Sequence, residues 1–462
     1  MRRLQGTSVA VIGLGASGVA AARLALAKGG EVYVSDSSSD AATAARGTDL
    51  RAAGASVDVG THDIGRVAGA GLVVVSPGVP PGAPVLRELA RRGVRWITEP
   101  ELAVRFFTAP LIAVTGTNGK TTTTMLIAHL LESAGLHALA GGNVGGGLAP
   151  AASELALVDD PPDWYVLEMS SFQLAGIDSF SPSIGVVTNL SPDHLDRYAS
   201  VEEYYADKAR LFDNATEASR WVLPAEDAQV ARLAGSARGS RFHFGGDAST
   251  SNAFVDDDVL TLRIDGVPER LVGRSELRMI GRHNVDNALA ASLVARLAGA
   301  RPDRIAEGLR SARPLPHRLE PVLDRGGVLW VNDSKATNVA ATRSALASLD
   351  RQVVILLGGK DKGEPFGPLA ESLEGKARAV IAYGAVGRRV YDELRAARRD
   401  GSDAGFGLEL LSTGFESVVR RAAELARPGD IVLLSPACSS YDMFENYEHR
   451  GRRFAELAAE VA

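Results

Sequence analysis

The chain has 462 residues, a formal net charge of −6, 45% hydrophobic residues and a single cysteine, Cys438. This length predicts about three domains of roughly 150 residues each. The acidic balance excludes nucleic acid as the main partner, because a duplex-binding protein needs an excess of basic side chains. A lone cysteine allows no intrachain disulfide. Since we find neither a signal-peptide pattern nor an apolar run of about 18 residues, we expect a cytoplasmic protein without a membrane span.

A β-α-β pattern opens the chain. An apolar strand at residues 9–12 leads to Gly13, Gly15 and Gly18, then to an alanine-rich helix and a second strand that ends at Asp36. Such glycines let a pyrophosphate approach a helix N-terminus, and such an acidic residue meets the ribose. A dehydrogenase has this fingerprint, and a protein that binds a nucleotide-sugar diphosphate satisfies it equally well. The pattern alone leaves both open.

A phosphate-binding loop follows a strand predicted at residues 111–114. The loop and the start of the next helix comprise Gly116, Thr117, Asn118, Gly119, Lys120, Thr121 and Thr122. Backbone N–H groups of such a loop cradle phosphate oxygens, while the lysine neutralises the β- and γ-phosphates and the following hydroxyl helps to hold Mg²⁺. Val114 stands where the common nucleotide hydrolases have their first glycine, so the loop is shorter than theirs. It predicts a site for ATP or GTP with Mg²⁺.

Acidic and imidazole side chains follow the next strands. Glu168 ends a strand predicted at 164–168, while Asp193, His194 and Asp196 follow a strand at 184–188. Because the carboxyl ends of parallel strands meet at one edge of a sheet, we expect these groups beside the phosphate loop, where they predict a magnesium site. Lys208 lies in a predicted helix, and the helix alone predicts an ordinary exposed lysine.

The whole chain is predicted to be an α/β protein of three domains in series. Residues 1–108 are predicted to form a Rossmann-like nucleotide-sugar domain, residues 109–313 a central P-loop ATPase-like domain, and residues 314–462 a Rossmann-like C-terminal domain. The first boundary rests on the restart of the strand pattern near residue 109, and the second on the prolines at 314 and 316. A polar strand-and-turn stretch covers about residues 220–280.

Several motifs together resemble the Mur ligases of peptidoglycan synthesis, and the resemblance runs from end to end. The general motifs are residues 115–122, 141–145 and 193–196. Three stretches resemble the D-glutamate-adding members of that family, namely 193–198 and the longer 332–338 and 434–451. Other Mur ligases and folylpolyglutamate synthetase, which shares the central domain, are the nearest alternatives. A dehydrogenase gives no reason for Lys120, Glu168 and His194, and a non-catalytic nucleotide-binding module gives none for a metal cluster.

The resemblance implies an amide-forming ligase that uses ATP and two Mg²⁺ ions. Such a ligase adds D-glutamate to UDP-N-acetylmuramoyl-L-alanine through an acyl phosphate, and we expect a monomer. The implied catalytic residues are Lys120, Asn143, His194 and Lys208. The implied metal ligands are Thr121, Glu168, His194 and Lys208, the last as a carbamate.

Three sets of binding residues follow from the same resemblance. ATP is expected to meet Gly116, Thr117, Asn118, Gly119, Lys120, Thr121, Thr122, Asn284, Asn287, Arg318 and Asp333. The uridine diphosphate part of the substrate is expected to meet Gly15, Ala16, Ser17, Asp36, Ser37, Ser76, Gly78 and Asn143. D-glutamate is expected among Lys335, Thr337, Lys362, Ser440 and Tyr447. Tyr447 replaces a common phenylalanine, Tyr441 a small aliphatic residue, and the loop at 358–362 carries a lysine where an acid is frequent.

Overall fold

The computed structural model describes residues 4–145, 147–193, 197–397 and 405–461. The chain divides into two compact units, of which the first comprises residues 1–274 with 286–310 and the second residues 275–285 with 311–462. Within the described ranges the first unit contains two sheets and the second contains one. His194 and Asp196, both predicted from the sequence to lie near the metal, fall outside the described residues.

A five-stranded parallel sheet forms the N-terminal part of the first unit. Its strands are β1 Ser8–Ile12, β2 Glu31–Asp36, β3 Ser56–Val59, β4 Leu72–Val75 and β5 Ile97–Thr98, in the order β3-β2-β1-β4-β5. Its helices are α1 Ala16–Ala27, α2 Ala41–Ala52, α3 Ile64–Ala68, α4 Pro84–Arg91 and α5 Glu99–Val104. Chain order reverses between β1 and β4, which is where ligands bind in open α/β sheets. The glycine loop after β1 therefore opens onto the natural crevice of this sheet.

A nine-stranded sheet forms the rest of the first unit. Its strands are β6 Leu111–Thr115, β7 Ala138–Gly142, β8 Trp164–Glu168, β9 Ile184–Val187, β10 Arg220–Pro224, β11 Ser240–Phe244, β12 Ala253–Asp256, β13 Val259–Leu262 and β14 Glu269–Gly273, in the order β14-β13-β12-β11-β10-β9-β6-β8-β7. Pairing is parallel from β7 to β12 and antiparallel from β12 to β14. Because β8 and β9 flank β6, the loops after these three strands meet at one edge.

Helices cover this sheet and supply its site loops. They are α6 Lys120–Ser133, α7 Ala152–Leu155, α8 Ser171–Leu174, α9 Val201–Ala209, α10 Ala228–Ala234, α11 Arg282–Leu297 and α12 Pro302–Ser311, with 3₁₀ turns at Arg210–Phe212 and Arg274–Glu276. Strands β6 and β8 are almost wholly buried. Parallel strands that are covered on both faces need such continuous apolar runs.

Two buried glutamates of α5 tie the two sheets of the first unit together. Glu101 accepts hydrogen bonds from the backbone N–H groups of Asp178 (3.0 Å), Ser179 (3.1 Å) and Phe180 (2.9 Å). Glu99 accepts one from the N–H of Ser153 at the start of α7. Buried carboxylates are tolerated where several donors converge on them, so these contacts fix α5 against the central sheet.

A six-stranded sheet forms the second unit. Its strands are β15 Glu320–Arg325, β16 Val328–Asn332, β17 Val353–Gly358, β18 Ala377–Tyr383, β19 Gly407–Leu411 and β20 Ile431–Leu434, in the order β15-β16-β20-β17-β18-β19. The helices are α13 Val339–Ser348, α14 Leu369–Leu373, α15 Gly387–Ala397, α16 Phe415–Leu425 and α17 Tyr447–Val461. Only β15 pairs antiparallel among these strands. The loops after β16, β20 and β17 consequently share one edge.

The predicted α/β class and the three sheet-based parts are confirmed. The strand predicted at 164–168 has those limits, and the second strand ends at Asp36 as predicted. Helix α6 begins at Lys120, with Gly119 as its N-cap. The stretch at 220–280 also contains the helix α10. The domain limits at residues 108 and 313 stay predictions. In the part of the chain that the structure describes, no helix combines the length and hydropathy needed to cross a membrane.

Candidate active site

The phosphate loop is held in shape by two glycines. Gly116 has φ +139° and Gly119 has φ +80°, a region that side chains rarely adopt. A Cβ atom at Gly116 would lie 2.0 Å from Thr188 Oγ1, and one at Gly119 would lie 2.5 Å from Asn287 Oδ1. The loop therefore packs directly on the end of β9 and on α11, and only glycine fits at either position.

Residues after β9 complete the loop with hydrogen bonds. Asn118 N donates to Asn189 Oδ1 (3.0 Å), and Thr117 N donates to the Asn189 carbonyl oxygen (3.0 Å). Thr188 Oγ1 donates to the Asn118 carbonyl oxygen (2.6 Å). The sequence interpretation missed Thr188 and Asn189. Their position after a strand beside the loop was the available signal.

Lys120 and Thr121 stand at the first turn of α6, as the loop motif predicts. The Lys120 ammonium donates to the Thr117 carbonyl oxygen at 2.8 Å, which folds its side chain back over the loop. Thr121 is buried and Thr122 half-buried. A helix N-terminus with an ammonium group beside it attracts anionic phosphate oxygens.

Glu168 has one carboxylate oxygen in use and one without a partner. Its Oε1 accepts a hydrogen bond from Asn143 Nδ2 at 3.2 Å. Its Oε2 is buried and has no hydrogen-bond partner among the described residues. A buried, unpartnered carboxylate oxygen is costly in free energy unless a cation or donor meets it. The residues present therefore fit a bound divalent cation.

Of the other predicted metal ligands, the structure describes Thr121 and Lys208 but not His194. Across the described ranges, no group of three His, Cys, Asp or Glu side chains is arranged to hold a metal ion. His194, a predicted ligand, lies outside these ranges. Asp193, which precedes it, exerts an electrostatic effect on Lys208, as Glu168 does.

Lys208 is buried, so the exposed lysine that its helix alone predicts is wrong. Its side chain is 1% exposed, because α9 packs the face that carries Tyr204 and Lys208 against the phosphate loop. The Lys208 ammonium donates to the Gly116 carbonyl oxygen (2.7 Å) and lies 4.7 Å from the centre of the Tyr204 ring. Burial, reinforced by the neighbouring charge of Lys120, holds the pKa of Lys208 well below the usual range of lysine. A lowered pKa increases the fraction of the amine that is neutral and therefore nucleophilic.

The N-terminal sheet carries a cavity of about 430 Å³ at its crevice. Five of the predicted uridine-diphosphate residues line it, namely Gly15, Asp36, Ser37, Ser76 and Gly78. Ala16 and Ser17 begin α1 behind Gly15. Asn143, the remaining residue of that set, contacts Glu168 instead. Arg46 and His62 also line the cavity, and the sequence interpretation missed both.

The glycine fingerprint shapes the floor of this cavity. Asp36 accepts hydrogen bonds from Leu14 N (2.6 Å) and Ser38 N (2.8 Å), so its carboxylate fixes the loop after β1. A Cβ atom at Gly18 would lie 1.9 Å from the Gly13 carbonyl oxygen. Only glycine lets α1 pack this closely on the loop, which is the role the fingerprint predicts for its third glycine.

In the second unit, the predicted amino-acid residues come together in pairs. The Lys335 ammonium lies 3.9 Å from the centre of the Tyr447 ring, and Lys362 Nζ donates to Thr337 Oγ1 at 3.2 Å. Lys360 N donates to the Ser439 carbonyl oxygen at 2.8 Å, which joins the loop after β17 to the loop that carries Ser440. The edge of this sheet therefore gathers two ammonium groups, hydroxyls and an aromatic ring.

Arg450 joins the loop after β16, which carries Ser334, to the loop after β20, which carries Cys438. Its side chain is 1% exposed, and its guanidinium donates to Ser334 Oγ (2.9 Å) and to the carbonyl oxygens of Ser334 (2.9 Å) and Cys438 (3.1 Å). No carboxylate of the described residues forms an ion pair with Arg450. The sequence interpretation did not single out this residue, whose role depends on burial.

The predicted ATP residues outside the phosphate loop fall in both units. In the first, Asn287 accepts a hydrogen bond from Thr123 Oγ1 at 3.1 Å. In the second, Asn284 donates to the Ile280 carbonyl oxygen at 2.7 Å. Asp333 is buried, which raises its pKa to about 7 although it accepts hydrogen bonds from Ser435 Oγ (2.8 Å) and Leu319 N (3.2 Å). Arg318 interacts electrostatically with Asp333.

Comparison with known proteins shows the family to which the chain belongs. The model of the MurD-like N-terminal domain of Mur ligases matches residues 7–98, that of the Mur ligase middle domain residues 114–295, and that of the Mur ligase glutamate ligase domain residues 317–438. A protein from Acidobacterium capsulatum is 40% identical over 460 residues, which is 98% of this chain and 96% of that protein. The chain belongs to the Mur ligase family.

A further relative agrees with this assignment, and a solved structure shares the fold. The Acidobacterium protein and one from Anaeromyxobacter dehalogenans are both named UDP-N-acetylmuramoylalanine–D-glutamate ligase, and the second is 42% identical over 99% of each chain. The solved structure of the Mur ligase MurC, the UDP-N-acetylmuramate–alanine ligase of Thermotoga maritima, is 19% identical, with a TM-score of 0.57 over 99% of this chain and 100% of that one. That likeness shows the shared fold.

Proposed function

We propose that this Mur ligase joins D-glutamate to UDP-N-acetylmuramoyl-L-alanine, with conversion of ATP to ADP and phosphate, in the synthesis of peptidoglycan precursor. The observation that carries the proposal is the end-to-end identity of 40% to a relative with that name. The geometry supports it independently with a phosphate loop, a buried unpartnered carboxylate and a pocket of two lysines.

The first step activates a carboxylate, because a free carboxylate is a poor electrophile. An oxygen of the terminal carboxylate of UDP-N-acetylmuramoyl-L-alanine attacks the γ-phosphorus of ATP. The bond from that phosphorus to the β-γ bridging oxygen breaks, so ADP leaves and an acyl phosphate remains. Lys120 and the N–H groups at the start of α6 neutralise the transferring phosphoryl oxygens.

The second step forms the amide. The neutral amine of D-glutamate attacks the acyl carbon and gives a tetrahedral intermediate. The bond from carbon to the phosphate oxygen then breaks, phosphate leaves, and the nitrogen loses a proton. Asn143, whose amide donates to Glu168, would orient the reacting carboxyl group.

Magnesium would bind beside the phosphate loop. Thr121, Glu168, His194 and Lys208 as a carbamate would hold two ions. When bound, Mg²⁺ supplies positive charge that neutralises phosphate oxygens and orients the transfer. The unpartnered Glu168 Oε2 supports this assignment.

The most specific part of this proposal is a carbamate on Lys208. Its lowered pKa favours the neutral amine, and a neutral amine adds to carbon dioxide through a new nitrogen–carbon bond, with loss of one proton. The product is a carboxylate on a residue that is 1% exposed, beside a phosphate loop. Such a group replaces the amine with a carboxylate, a hard oxygen ligand of the kind that Mg²⁺ prefers.

The acceptor pocket fits a dicarboxylate. D-glutamate carries two carboxylates, and Lys335 and Lys362 supply two ammonium groups to meet them. Thr337 and Ser440 add hydroxyl groups, and Tyr447 lies against Lys335. Charge-assisted hydrogen bonds of this kind are roughly twice as strong as neutral ones. The ATP-binding roles expected for Asn284, Asn287, Arg318 and Asp333 stay predictions.

Replacement of Arg450 with methionine is expected to raise the KM for D-glutamate by at least ~10-fold with a smaller loss of kcat, because removal of a buried hydrogen-bonded guanidinium leaves several carbonyl oxygens without donors. The KM values for ATP and the nucleotide substrate should change little. Initial-rate kinetics with each substrate varied in turn measure the difference. Arg453→Met, on the same helix but half-buried and ion-paired with the exposed Glu416 and Glu456, is the matched control. An Arg450 variant with an unchanged KM for D-glutamate would contradict the role.

Phosphate release from ATP with UDP-N-acetylmuramoyl-L-alanine and a panel of amino acids tests the proposed function. D-glutamate should stimulate release strongly, whereas L-glutamate, L-alanine, L-lysine and diaminopimelate should not. Stimulation by another amino acid alone would assign the chain to another Mur ligase activity, and stimulation by folate substrates would favour the folylpolyglutamate alternative. The monomeric state and the cytoplasmic location stay predictions.

A further inference from the structure

Arg46 reaches the nucleotide cavity from a helix outside the glycine fingerprint. It lies on α2, and its guanidinium Nη1 donates to the carbonyl oxygen of Leu14 at 2.9 Å. Leu14 stands between Gly13 and Gly15, in the loop that leads into α1. The side chain is therefore tethered to the loop where a diphosphate is expected.

Most of the donors of Arg46 remain available to a ligand. A guanidinium has five N–H donors in a planar fork, and the hydrogen bond to Leu14 uses one of them. None of the ion pairs formed among the described residues includes Arg46. The exposed side chain lines the cavity, so its guanidinium is available there to an anionic ligand.

The charge of the cavity lining points to the ligand group that Arg46 meets. Arg46 and Asp36 are the charged residues of the lining, together with the half-buried His62. Asp36 is occupied by two backbone N–H groups and repels anions. Burial lowers the pKa of His62, which leaves its imidazole neutral near pH 7. Arg46 is thus the permanent cation of this lining.

The N-terminus of α1 faces the same space. Gly15 is its N-cap and carries no side-chain cap, and the first amide to bond within the helix is that of Val19 to Gly15. The N–H groups before it have no partner inside the helix. A diphosphate beside Gly15 would meet these amides on one side and the Arg46 guanidinium on the other.

We infer that Arg46 pairs with the diphosphate of the nucleotide-sugar substrate and determines the affinity for it. This inference rests on the proposed function, in which that substrate occupies the N-terminal cavity. In this inference Arg46 is a binding residue for phosphate oxygens.

Calorimetric binding of UDP, together with inhibition by uridine, tests the inference. Arg46→Ala should weaken UDP by at least ~10-fold, the scale of a lost charge-assisted hydrogen bond. The inhibition constant of uridine, which lacks phosphate, should stay near the wild-type value. The affinity of Arg46→Lys for UDP should fall between those of the wild type and Arg46→Ala, since lysine keeps the charge but lacks the planar fork. In steady-state kinetics the KM for the nucleotide substrate should rise while kcat changes little.

Arg51→Ala is the matched control. Arg51 lies on the same helix and also donates to a backbone carbonyl, that of Val57 (2.7 Å), but it does not line the cavity. This variant should bind both UDP and uridine as the wild type does.

Three outcomes would overturn the inference. Equal losses of UDP and uridine affinity in Arg46→Ala would show that Arg46 acts structurally, through Leu14. Unchanged UDP affinity would remove any role in the diphosphate site. A wild-type protein that binds neither UDP nor uridine would overturn the proposed nucleotide site itself, and Arg46 with it.

Discussion

Replacing Lys120 with methionine is expected to lower kcat for D-glutamate-dependent phosphate release by roughly 10²- to 10³-fold, the scale seen when one preorganised donor to a developing charge is lost. The Lys120 ammonium is held at the phosphate loop by its hydrogen bond to the Thr117 carbonyl oxygen, where the proposal has it neutralise the transferring phosphoryl group. Methionine keeps most of the volume of the side chain and removes its charge. Binding of UDP should be unaffected, because that cavity belongs to a different sheet.

Lys28→Met is the control for this variant. Lys28 is another lysine of the first unit, with its ammonium 5.4 Å from the centre of the Phe106 ring, outside the phosphate loop. It should keep the wild-type kcat. A Lys120 variant that turns over at a near-wild-type rate would remove the role of this ammonium in phosphoryl transfer.

Replacing Lys208 with alanine is expected to lower kcat by roughly 10²-fold or more, with partial recovery on addition of acetate or formate. In the proposed site the Lys208 carbamate supplies a carboxylate for Mg²⁺, and a short carboxylic acid that enters the space left by the side chain replaces it. The buried position of Lys208 between the phosphate loop and Glu168 leaves room for such an acid only when the side chain is gone.

The recovery separates a metal-binding role from a structural one. A lysine that only donates to the Gly116 carbonyl oxygen would not be replaced by an anion, whereas a carbamate would. Labelled bicarbonate should give a carbamate carbon signal in the wild type that is absent from Lys208→Ala. Absence of the signal in an active wild type, with no recovery by either acid, would contradict the carbamate.

The phosphate loop and the glycine fingerprint are the parts of the site that the sequence predicted well. Gly116, Gly119 and Gly18 are needed by backbone geometry, and this requirement is local to a strand, a turn and a helix. The same locality explains why the position of Glu168 at a strand end was predictable, since the sheet register sets that position. Pairing of β8 with β6 then brings it beside the loop.

The residues that the sequence did not reveal depend on tertiary packing. Lys208 sits in a helix whose pattern does not distinguish its two faces, and only the packing of α9 on the phosphate loop shows it to be buried. Arg46 and Arg450 reach their partners across 32 and 116 positions of the chain, respectively. Long-range contacts of this kind leave no periodic trace in one sequence. The family resemblance supplied Lys208, but neither arginine.

A substrate with oxygen-18 at both positions of the terminal carboxylate of UDP-N-acetylmuramoyl-L-alanine tests the central claim most directly. If the carboxylate is activated by phosphorylation, one labelled oxygen must leave with the phosphate when D-glutamate forms the amide. Mass spectrometry of the released phosphate and of the nucleotide product should therefore find one label in each. Unlabelled phosphate, with both labels kept by the unreacted nucleotide substrate, would contradict carboxylate activation and the ligase function that rests on it.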